Sequence, residues 1–205
     1  MLCFAPEKTD GPGVTGDIIC LAAGDAVSMI RFSTFPRTIH PPPFIVEVIS
    51  VFQAHEPEIG TLGLLKGLTS GGVLDRLRNN LVAIGFEIEQ GKRSEQKIKR
   101  PVFFGENATP SLQYQVDGWH PEWRTGLEVE AGRAWMGNAV YRDLIQALVM
   151  VNLEYLILAV PNAYRYKASG RDAISNDYAN TVAVAEALFG HSRIKMPFGL
   201  CVIGY

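Results

Sequence analysis

Three carboxylates between positions 117 and 130 have the types and the spacing to do chemistry. Asp117 ends one strand-like segment, and Glu128 and Glu130 alternate with apolar residues in the next one. Side chains alternate across a strand, so Glu128 and Glu130 should share a face, and pairing of the two segments would bring Asp117 beside them. Such a cluster is electrostatically costly unless a cation occupies it. Because hard oxygen ligands suit Mg²⁺ or Mn²⁺, the pattern predicts a metal that activates water for phosphodiester hydrolysis.

Two other interpretations of the Glu-X-Glu pattern remain open on spacing alone. Strands often carry alternating glutamates on a solvent-exposed face, and Glu87 and Glu89 repeat the pattern in this chain. An exposed pair would bind no divalent ion tightly. Alternatively, Glu128 and Glu130 would be the acid and the base of a glycosidase, which predicts no metal requirement.

Several polar residues near the carboxylates are candidates for the same site. Arg133 and Arg142 would fork onto a phosphate or brace a carboxylate, although Arg142 could equally pair with the adjacent Asp143. Asn138 should share a helix face with Arg142. His120 follows soon after the first carboxylate and could carry a proton, but a surface histidine in a turn is the more ordinary interpretation.

One basic segment and three tryptophans are candidates for nucleic-acid contacts. The basic residues are Lys92, Arg93, Lys97, Lys99 and Arg100. They would lie along a DNA backbone, because Lys and Arg supply the sequence-independent part of affinity, or they would simply form a solvated loop. Trp119, Trp123 and Trp135 flank the acidic segment and could stack on bases, although packing against the strands is the more ordinary expectation.

The composition limits the classes of protein to which the chain can belong. The chain has 205 residues, 47% of them hydrophobic, and a net charge of −2, so it can fold as one domain and carries no global sign of nucleic-acid binding. Its three cysteines are odd in number and far apart, which argues against a disulfide framework or a zinc site and favours a reducing compartment. No secretory signal, membrane-spanning run or Gly-X-Ser-X-Gly motif is recognised. We therefore expect a cytoplasmic protein with no membrane segment.

The elements that must position these residues are legible from residue 69 onwards. Thr69 and Ser70 predict the start of a helix whose apolar residues recur at helical spacing up to Val82, with Gly85 as its stop. The segments predicted to follow are strands at 86–89, 101–104, 112–117 and 125–131, a helix from about 137, a buried strand at 155–160, a helix between 176 and 189 and a strand at 198–203. This order predicts a mixed α/β layer protein.

The first 68 residues are rich in proline and glycine and are harder to assign. Two strand-like runs stand out in them, at Asp17–Ala22 and at Phe44–Phe52. We expect residues 1–68 to form an extension packed on a core of residues 69–205, so that the chain makes one compact domain.

The element order and the acidic motif together resemble the PD-(D/E)XK nuclease superfamily. The resemblance covers residues 69–205 and rests on Asp117 at the end of one strand and Glu128-X-Glu130 on the next. It implies a restriction-endonuclease-like mixed sheet flanked by helices, with Asp117 and Glu128 as metal ligands. Two positions depart from the family pattern, since Val116 stands where many members have Pro and Glu130 stands where most have Lys. Glu130 would then serve as a ligand or a base, as Glu stands at this position in some restriction endonucleases.

The resemblance also implies an activity. The implied function is a Mg²⁺-dependent (or Mn²⁺-dependent) endonuclease that hydrolyses DNA, similar to type II restriction enzymes. Cutting both strands of a duplex would call for a homodimer. A carboxylate on the first helix often joins the site in this family, and here that residue would be Asp75. The alternative is a non-catalytic DNA-binding or scaffolding protein of the same fold, which the missing Lys and the mildly acidic charge favour.

Overall fold

The structure, a computed structural model, describes residues 28–64, 66–132 and 134–205. These residues form a mixed α/β architecture in which helices cover both faces of a six-stranded sheet. The strands of this part of the chain are β1 (Arg31–Phe35), β2 (Glu87–Ile88), β3 (Ile98–Phe104), β4 (Pro110–Val116), β5 (Gly118–His120), β6 (Thr125–Val129), β7 (Tyr155–Val160), β8 (Tyr164–Ala168), β9 (Arg171–Ser175) and β10 (Gly199–Gly204). The predicted strand at Asp17–Ala22 lies outside the described residues.

Five helices accompany these strands in the described ranges. They are α1 (Phe44–Ala54), α2 (Glu56–Ile59), α3 (Ser70–Ala83), α4 (Ala139–Val149) and α5 (Asp177–Gly190). Helix α3 begins where the sequence predicts, because the hydroxyl of Thr69 accepts the backbone N–H of Gly72 at 3.2 Å. None of the helices in these ranges is long and apolar enough to cross a membrane.

The central sheet has the strand order β1-β10-β7-β6-β5-β2. Strands β10, β7 and β6 are parallel to one another, and β1, β5 and β2 add antiparallel pairs at the two sides. Strands β7 and β10 are almost completely buried, as strands covered on both faces must be. The strands predicted at 155–160 and 198–203 are therefore confirmed, and they lie within the sheet rather than at its edges.

Two hydrophobic layers lie on opposite faces of this sheet. One layer contains α1 and α3 together with Leu127 and Val129 of β6. The other contains α4 and α5 together with alternate residues of β7. Because side chains alternate along β6, those of Glu128 and Glu130 are turned towards the α4 face.

The segment Phe44–Phe52, predicted as a strand, is helix α1. Its buried residues include Ile45, Val48, Ile49 and Phe52, whose spacing matches one face of a helix. The strand prediction was wrong because most of the segment is apolar, so that strand and helix periodicities both fit it. The buried face packs against α3, and this tertiary contact decides between the two patterns.

The described part of residues 1–68 contributes directly to the core. Strand β1 pairs with β10 along one side of the sheet, and α1 belongs to the layer that contains α3. The sheet is thus completed by a strand from early in the chain and one from late in it.

Two antiparallel hairpins accompany the central sheet. Strand β3 pairs with β4, and β8 pairs with β9, a hairpin that the sequence analysis did not predict. Because β8 begins shortly after β7 ends, the β8–β9 hairpin lies at the edge of the sheet where the parallel strands β6, β7 and β10 have their carboxyl ends. Ligand sites are commonly found at this carboxyl edge of parallel strands.

Candidate functional site

A polar cavity of about 470 Å³ opens on the α4 face of the sheet, where β4 leads into β5. The charged and amide side chains that line it are Glu89, Lys97, Gln113, Gln115, Asp117, Glu128, Arg142, Asp143 and Gln146. Three residues predicted as parts of one site, Asp117, Glu128 and Arg142, are thus brought together. Lys97, predicted as a contact to the DNA backbone, joins them.

Asp117 lies between β4 and β5 and is held against the neighbouring strand. Its Oδ2 accepts the backbone N–H of Val129 at 2.9 Å, which puts the carboxylate beside β6, between the two glutamates. Gly118 allows this close approach, since a Cβ there would lie 2.9 Å from Ile88 Cδ1 and 3.2 Å from Leu127 Cβ. The position of Asp117 therefore follows from the pairing of the two strands.

The carboxyl groups of the cluster have raised pKa values. Burial raises the pKa of Asp117 to about 6, and the charges of Glu89 and Glu130 add to the rise. Glu128 is 7% exposed, and burial, followed by the charges of Asp117 and Asp143, holds its pKa well above the usual range. Burial also raises the pKa of Glu130 to about 7, with the charge of Asp143 as the next cause. These groups therefore retain protons towards neutral pH unless a cation balances them.

Arg142, on α4, braces two of the carboxylates. Its Nη2 lies 2.5 Å from Glu130 Oε1, and its Nε donates to Asp143 Oδ1 at 2.9 Å. Of the roles predicted for Arg142, the structure shows the carboxylate brace, and the pairing with Asp143 is part of it. Glu130 is not among the residues that line the cavity, and its backbone carbonyl accepts the hydroxyl of Tyr205 at 2.6 Å.

Asp143 is a member of the cluster that the motif did not reveal. Asp143 is 2% exposed, and its buried Oδ2 meets no donor among the described residues other than a proton shared with the neighbouring Glu130 carboxyl. Burial raises its pKa. A buried carboxylate oxygen of this kind is unfavourable unless a shared proton or a ligand satisfies it. The sequence held a signal for this residue, because position 143 falls on the face of the helix that Val140, Leu144 and Ala147 mark as buried.

An ion pair between Glu89 and Lys97 forms part of the cavity wall. The two side chains are only 14% and 20% exposed. The charge of Lys97 lowers the pKa of Asp117, which opposes the effect of burial. A lysine therefore reaches the carboxylates from outside the acidic motif.

The other cations of the predicted DNA-backbone segment have different surroundings. The guanidinium of Arg100 lies 3.6 Å from the centre of the Trp119 ring, and its Nε is buried without a partner in the described residues. Lys99 donates to a nearby serine hydroxyl at 2.7 Å. Lys92 and Arg93 are exposed. The segment is thus divided between inward contacts and solvent, and it does not present its five cations on one surface.

Three further predicted site residues do not line the cavity or are not described. Asp75 on α3 is exposed and pairs with Arg78 at 2.6 Å, so the structure does not bring it to the other carboxylates. Asn138, before α4, is exposed in a left-handed conformation with φ 59° and makes no side-chain capping bond. Arg133 lies outside the described residues.

His120 is buried rather than a surface histidine, and it is not among the residues that line the cavity. Its Nε2 lies 2.9 Å from the carbonyl oxygen of Ile84, and its Nδ1 accepts the backbone N–H of Trp123 at 3.2 Å. The imidazole also stacks on the Trp123 ring at 3.6 Å. Both ring nitrogens are therefore engaged. Trp119 and Trp123 pack within the protein, as expected.

The carboxylate oxygens in the cavity are of the kind that bind a hard cation, but they do not converge on one position for it. Among the residues that the structure describes, no group of three His, Cys, Asp or Glu side chains is arranged to hold a metal ion. Arg142 draws Asp143 Oδ1 towards itself, and Asp117 is bonded to β6. Asp143 nevertheless lines the same cavity as Asp117 and Glu128, and its Oδ2 meets no donor among the described residues but a proton shared with Glu130. Carboxylate oxygens are the ligands that Mg²⁺ takes. The donor set fits the ion in its chemistry and would need side-chain movement to fit it in geometry.

Comparison of the chain with protein-family models, with curated proteins and with solved structures finds no match in any of the three. The family resemblance of the motif therefore stays a prediction. Function has to be inferred from the chemistry of the cavity.

Proposed function

We propose that this protein is a nuclease that uses Mg²⁺ or Mn²⁺ to hydrolyse DNA phosphodiester bonds, with the restriction-endonuclease-like fold that its sequence resembles. The observation that carries the proposal is the cavity that Asp117, Glu128 and Asp143 line together, in which the buried Oδ2 of Asp143 meets no donor among the described residues but a proton shared with Glu130. Burial of several carboxylates at one place is costly without a positive partner. Magnesium and manganese are hard cations that carboxylates bind and that enzymes use on phosphodiesters.

Each residue of the cluster has a role in this proposal. Asp117, Glu128 and Asp143 would hold the ion, which when bound supplies a Lewis acid and lowers the pKa of a water molecule. Glu130 lies outside the cavity lining but contacts Arg142 and Asp143, which line it, and would act as the general base through one intervening water; its pKa of about 7 suits that role near neutral pH. Arg142 orients Glu130 through its contact of 2.5 Å.

The remaining polar lining would position the substrate. Lys97 brings positive charge to the cavity, where it would meet a phosphate oxygen, and Glu89 holds its ammonium group in place. Gln113, Gln115 and Gln146 line the same cavity, and their amide groups both donate and accept hydrogen bonds. A phosphate group could thus be held without leaving its oxygens unpaired.

The element order supports the fold named in the proposal. Asp117 lies between β4 and β5, Glu128 is on β6 with Glu130 shortly after its end, and α4 then connects the parallel strands β6 and β7. Cutting both strands of a duplex would require a homodimer. Tyr141, Ile145 and Val149 of helix α4 are exposed at four-residue spacing and form an apolar stripe, and we place the second copy of the homodimer on this stripe. A DNA substrate is also compatible with the cytoplasmic location expected from the composition.

One observation favours a second candidate, a non-catalytic DNA-binding or scaffolding protein of the same fold. Arg142 already pairs with Glu130 and Asp143, so part of the negative charge is neutralised within the protein. Position 130 also lacks the Lys that most nucleases of the superfamily have. A glycosidase is disfavoured, because Glu130 does not line the cavity with Glu128.

The test is calorimetric titration of Mn²⁺ into the wild-type protein, Asp117→Asn and Asp75→Asn, with plasmid nicking measured on the same samples. We expect Mn²⁺ binding and nicking in the wild type and in Asp75→Asn, and loss of both in Asp117→Asn. Asp75 is the matched control, because it is an exposed aspartate outside the cavity. Binding without nicking favours the non-catalytic protein, and a wild type that binds no Mn²⁺ refutes the metal site.

A further inference from the structure

A second cavity, of about 430 Å³, lies beyond the turn that follows Glu130. The turn residues Ala131 and Gly132 line it, and so do Lys66 and Arg165. No acidic side chain is among its described lining residues, so the charged side chains that line it are the two cations. It therefore contrasts in sign with the acid-rich cavity that Asp117 and Glu128 line.

Glu130 links the two cavities. Tyr205 lines the second cavity and donates its hydroxyl to the backbone carbonyl of Glu130 at 2.6 Å. Gly132 has a φ of +66°, which turns the chain after Glu130, and a Cβ there would lie 3.7 Å from the ring of Tyr164. A single turn of the backbone thus separates Glu130 from the positively charged cavity.

The β8–β9 hairpin forms one wall of this second cavity. The rings of Tyr164 and Tyr166 stack with their centroids 6.0 Å apart and their planes 6° from parallel. Both residues are only half-buried, so aromatic surface stays accessible. Arg165 lies between them in the sequence, so its side chain leaves the other face of the strand, although it lines the same cavity as Tyr164. It is exposed and forms no salt bridge with any described residue, whereas Lys167 is paired with Asp172 at 2.6 Å.

We propose that this hairpin surface, made of Lys66, Tyr164, Arg165 and Tyr166, binds the phosphodiester chain of a nucleic acid beside the bond that the carboxylates address. Lys66 and Arg165 would contact phosphates, and the tyrosine rings would pack on unpaired bases. The placement of the cleaved bond rests on the proposed nuclease function, but binding at the hairpin surface requires no metal. The two cations have no acidic side chain beside them among the described lining residues, so a polyanion is the ligand that complements them.

The charge distribution of the chain also points to this surface. The net charge is −2, so a nucleic acid must be held by local positive surface rather than by the protein as a whole. The basic segment 92–100 also holds three exposed cations that form no salt bridge among the described residues, Lys92, Arg93 and Lys99, whereas Lys97 is paired with Glu89 and Arg100 lies on Trp119. The cations of the hairpin surface are free of such partners among the described residues.

The test is fluorescence anisotropy of a labelled single-stranded oligonucleotide, titrated with the full chain in EDTA at several salt concentrations. Joint substitution of Lys66→Ala and Arg165→Ala should weaken binding roughly tenfold or more, and should lower the slope of log affinity against log salt by about 0.7 per lost phosphate contact. Lys167→Ala is the matched control, since Asp172 already pairs with it, and it should bind within about twofold of wild type. Tyr164→Leu should weaken binding without changing the salt slope.

Each outcome decides for or against the hairpin surface. Unchanged affinity and salt slope in the double variant overturn the proposal, and so does a wild-type protein that binds no oligonucleotide. Circular dichroism checks that the variants are folded. If the protein binds the oligonucleotide through the hairpin surface but neither binds Mn²⁺ nor cuts DNA, the nuclease proposal is refuted and the hairpin proposal stands. If the hairpin variants change neither cleavage nor binding, the hairpin proposal is refuted and the nuclease proposal stands.

Discussion

At the scale of single residues, the carboxyl groups on the α4 face share one electrostatic problem. They are withdrawn from water, and Arg142 is the cation that directly contacts two of them, Glu130 and Asp143. The positions of Asp117 and Glu128 were predictable, because strand alternation and strand pairing fix where their side chains go. Asp143 was not recognised as part of the site, because its neighbours depend on how α4 packs on the sheet and not on a local pattern.

Replacing Asp143 by Asn should weaken Mn²⁺ binding by roughly tenfold or more. The same change should leave the metal-free protein about as stable as wild type, since the amide oxygen still accepts from Arg142 and the amide N–H can donate to the Glu130 carboxyl. Calorimetric titration measures the first effect, and thermal unfolding in EDTA measures the second. Lower stability with unchanged Mn²⁺ affinity would show that Asp143 serves only as a structural partner of Arg142.

Removing the charge of Arg142 should move the acid limb of the pH–rate profile to higher pH. Arg142 lowers the pKa of Glu130, which burial raises to about 7, so without it Glu130 would lose its proton only at higher pH. The variants to compare are Arg142→Gln and Arg142→Lys, because Lys keeps the charge but loses the forked contact. Initial rates of oligonucleotide cleavage across neutral pH give the profile. An acid limb that stays in place in Arg142→Gln would exclude Glu130 as the base.

At the scale of elements, prediction succeeded where a segment had one dominant pattern. The strand at 155–160 is uniformly apolar, and α3 combines a capping threonine with a helical stripe. Phe44–Phe52 satisfied two patterns, and only its packing selects the helix. The β8–β9 hairpin was missed although a signal was present. Ser169 and Gly170, with φ of 50° and 78°, form a two-residue turn between alternating runs, as a tight hairpin requires.

Phe52→Ala should lower the free energy of unfolding by about 3–5 kcal/mol, because the ring is fully buried in the layer formed by α1 and α3. Val46 is 63% exposed, and Val46→Ala should change the free energy of unfolding by less than about 0.5 kcal/mol. The pair is matched, because the two positions would share a face in a strand but lie on opposite faces of a helix. Urea denaturation measures both variants. Equal losses would contradict the helical assignment.

At the scale of the whole molecule, the order of the strands in the sheet could not be predicted from the sequence. Strand β1 pairs with β10 across most of the chain, and the pattern of neither strand specifies its partner. The order of elements after residue 69 was predictable because each element is a local feature. The carboxyl ends of β6, β7 and β10 meet at one edge because these strands are adjacent and parallel. That arrangement, which no local pattern reveals, brings Glu130, Tyr205 and the β8–β9 hairpin together.

The metal-free protein should lose stability as the pH rises from about 4 to about 7. In the folded protein burial raises the pKa of Asp117 to about 6 and that of Glu130 to about 7, from ordinary values of 3.8 and 4.5. Between the ordinary and the raised values the folded protein binds more protons than the unfolded chain. The free energy of unfolding is therefore greatest below this window and falls as the pH rises through it.

Bound Mn²⁺ should reverse this trend, because it binds ionised carboxylates and its stabilising effect grows as protons leave them. Thermal unfolding in EDTA and in excess Mn²⁺, across this pH range at fixed ionic strength, measures both curves. The control is Asp117→Asn in EDTA, which should flatten the curve because one titrating group is gone while an oxygen still accepts the N–H of Val129. A metal-free protein that becomes more stable through this window would mean that the buried carboxylates are already compensated within the fold. The metal site would then lose its physical basis.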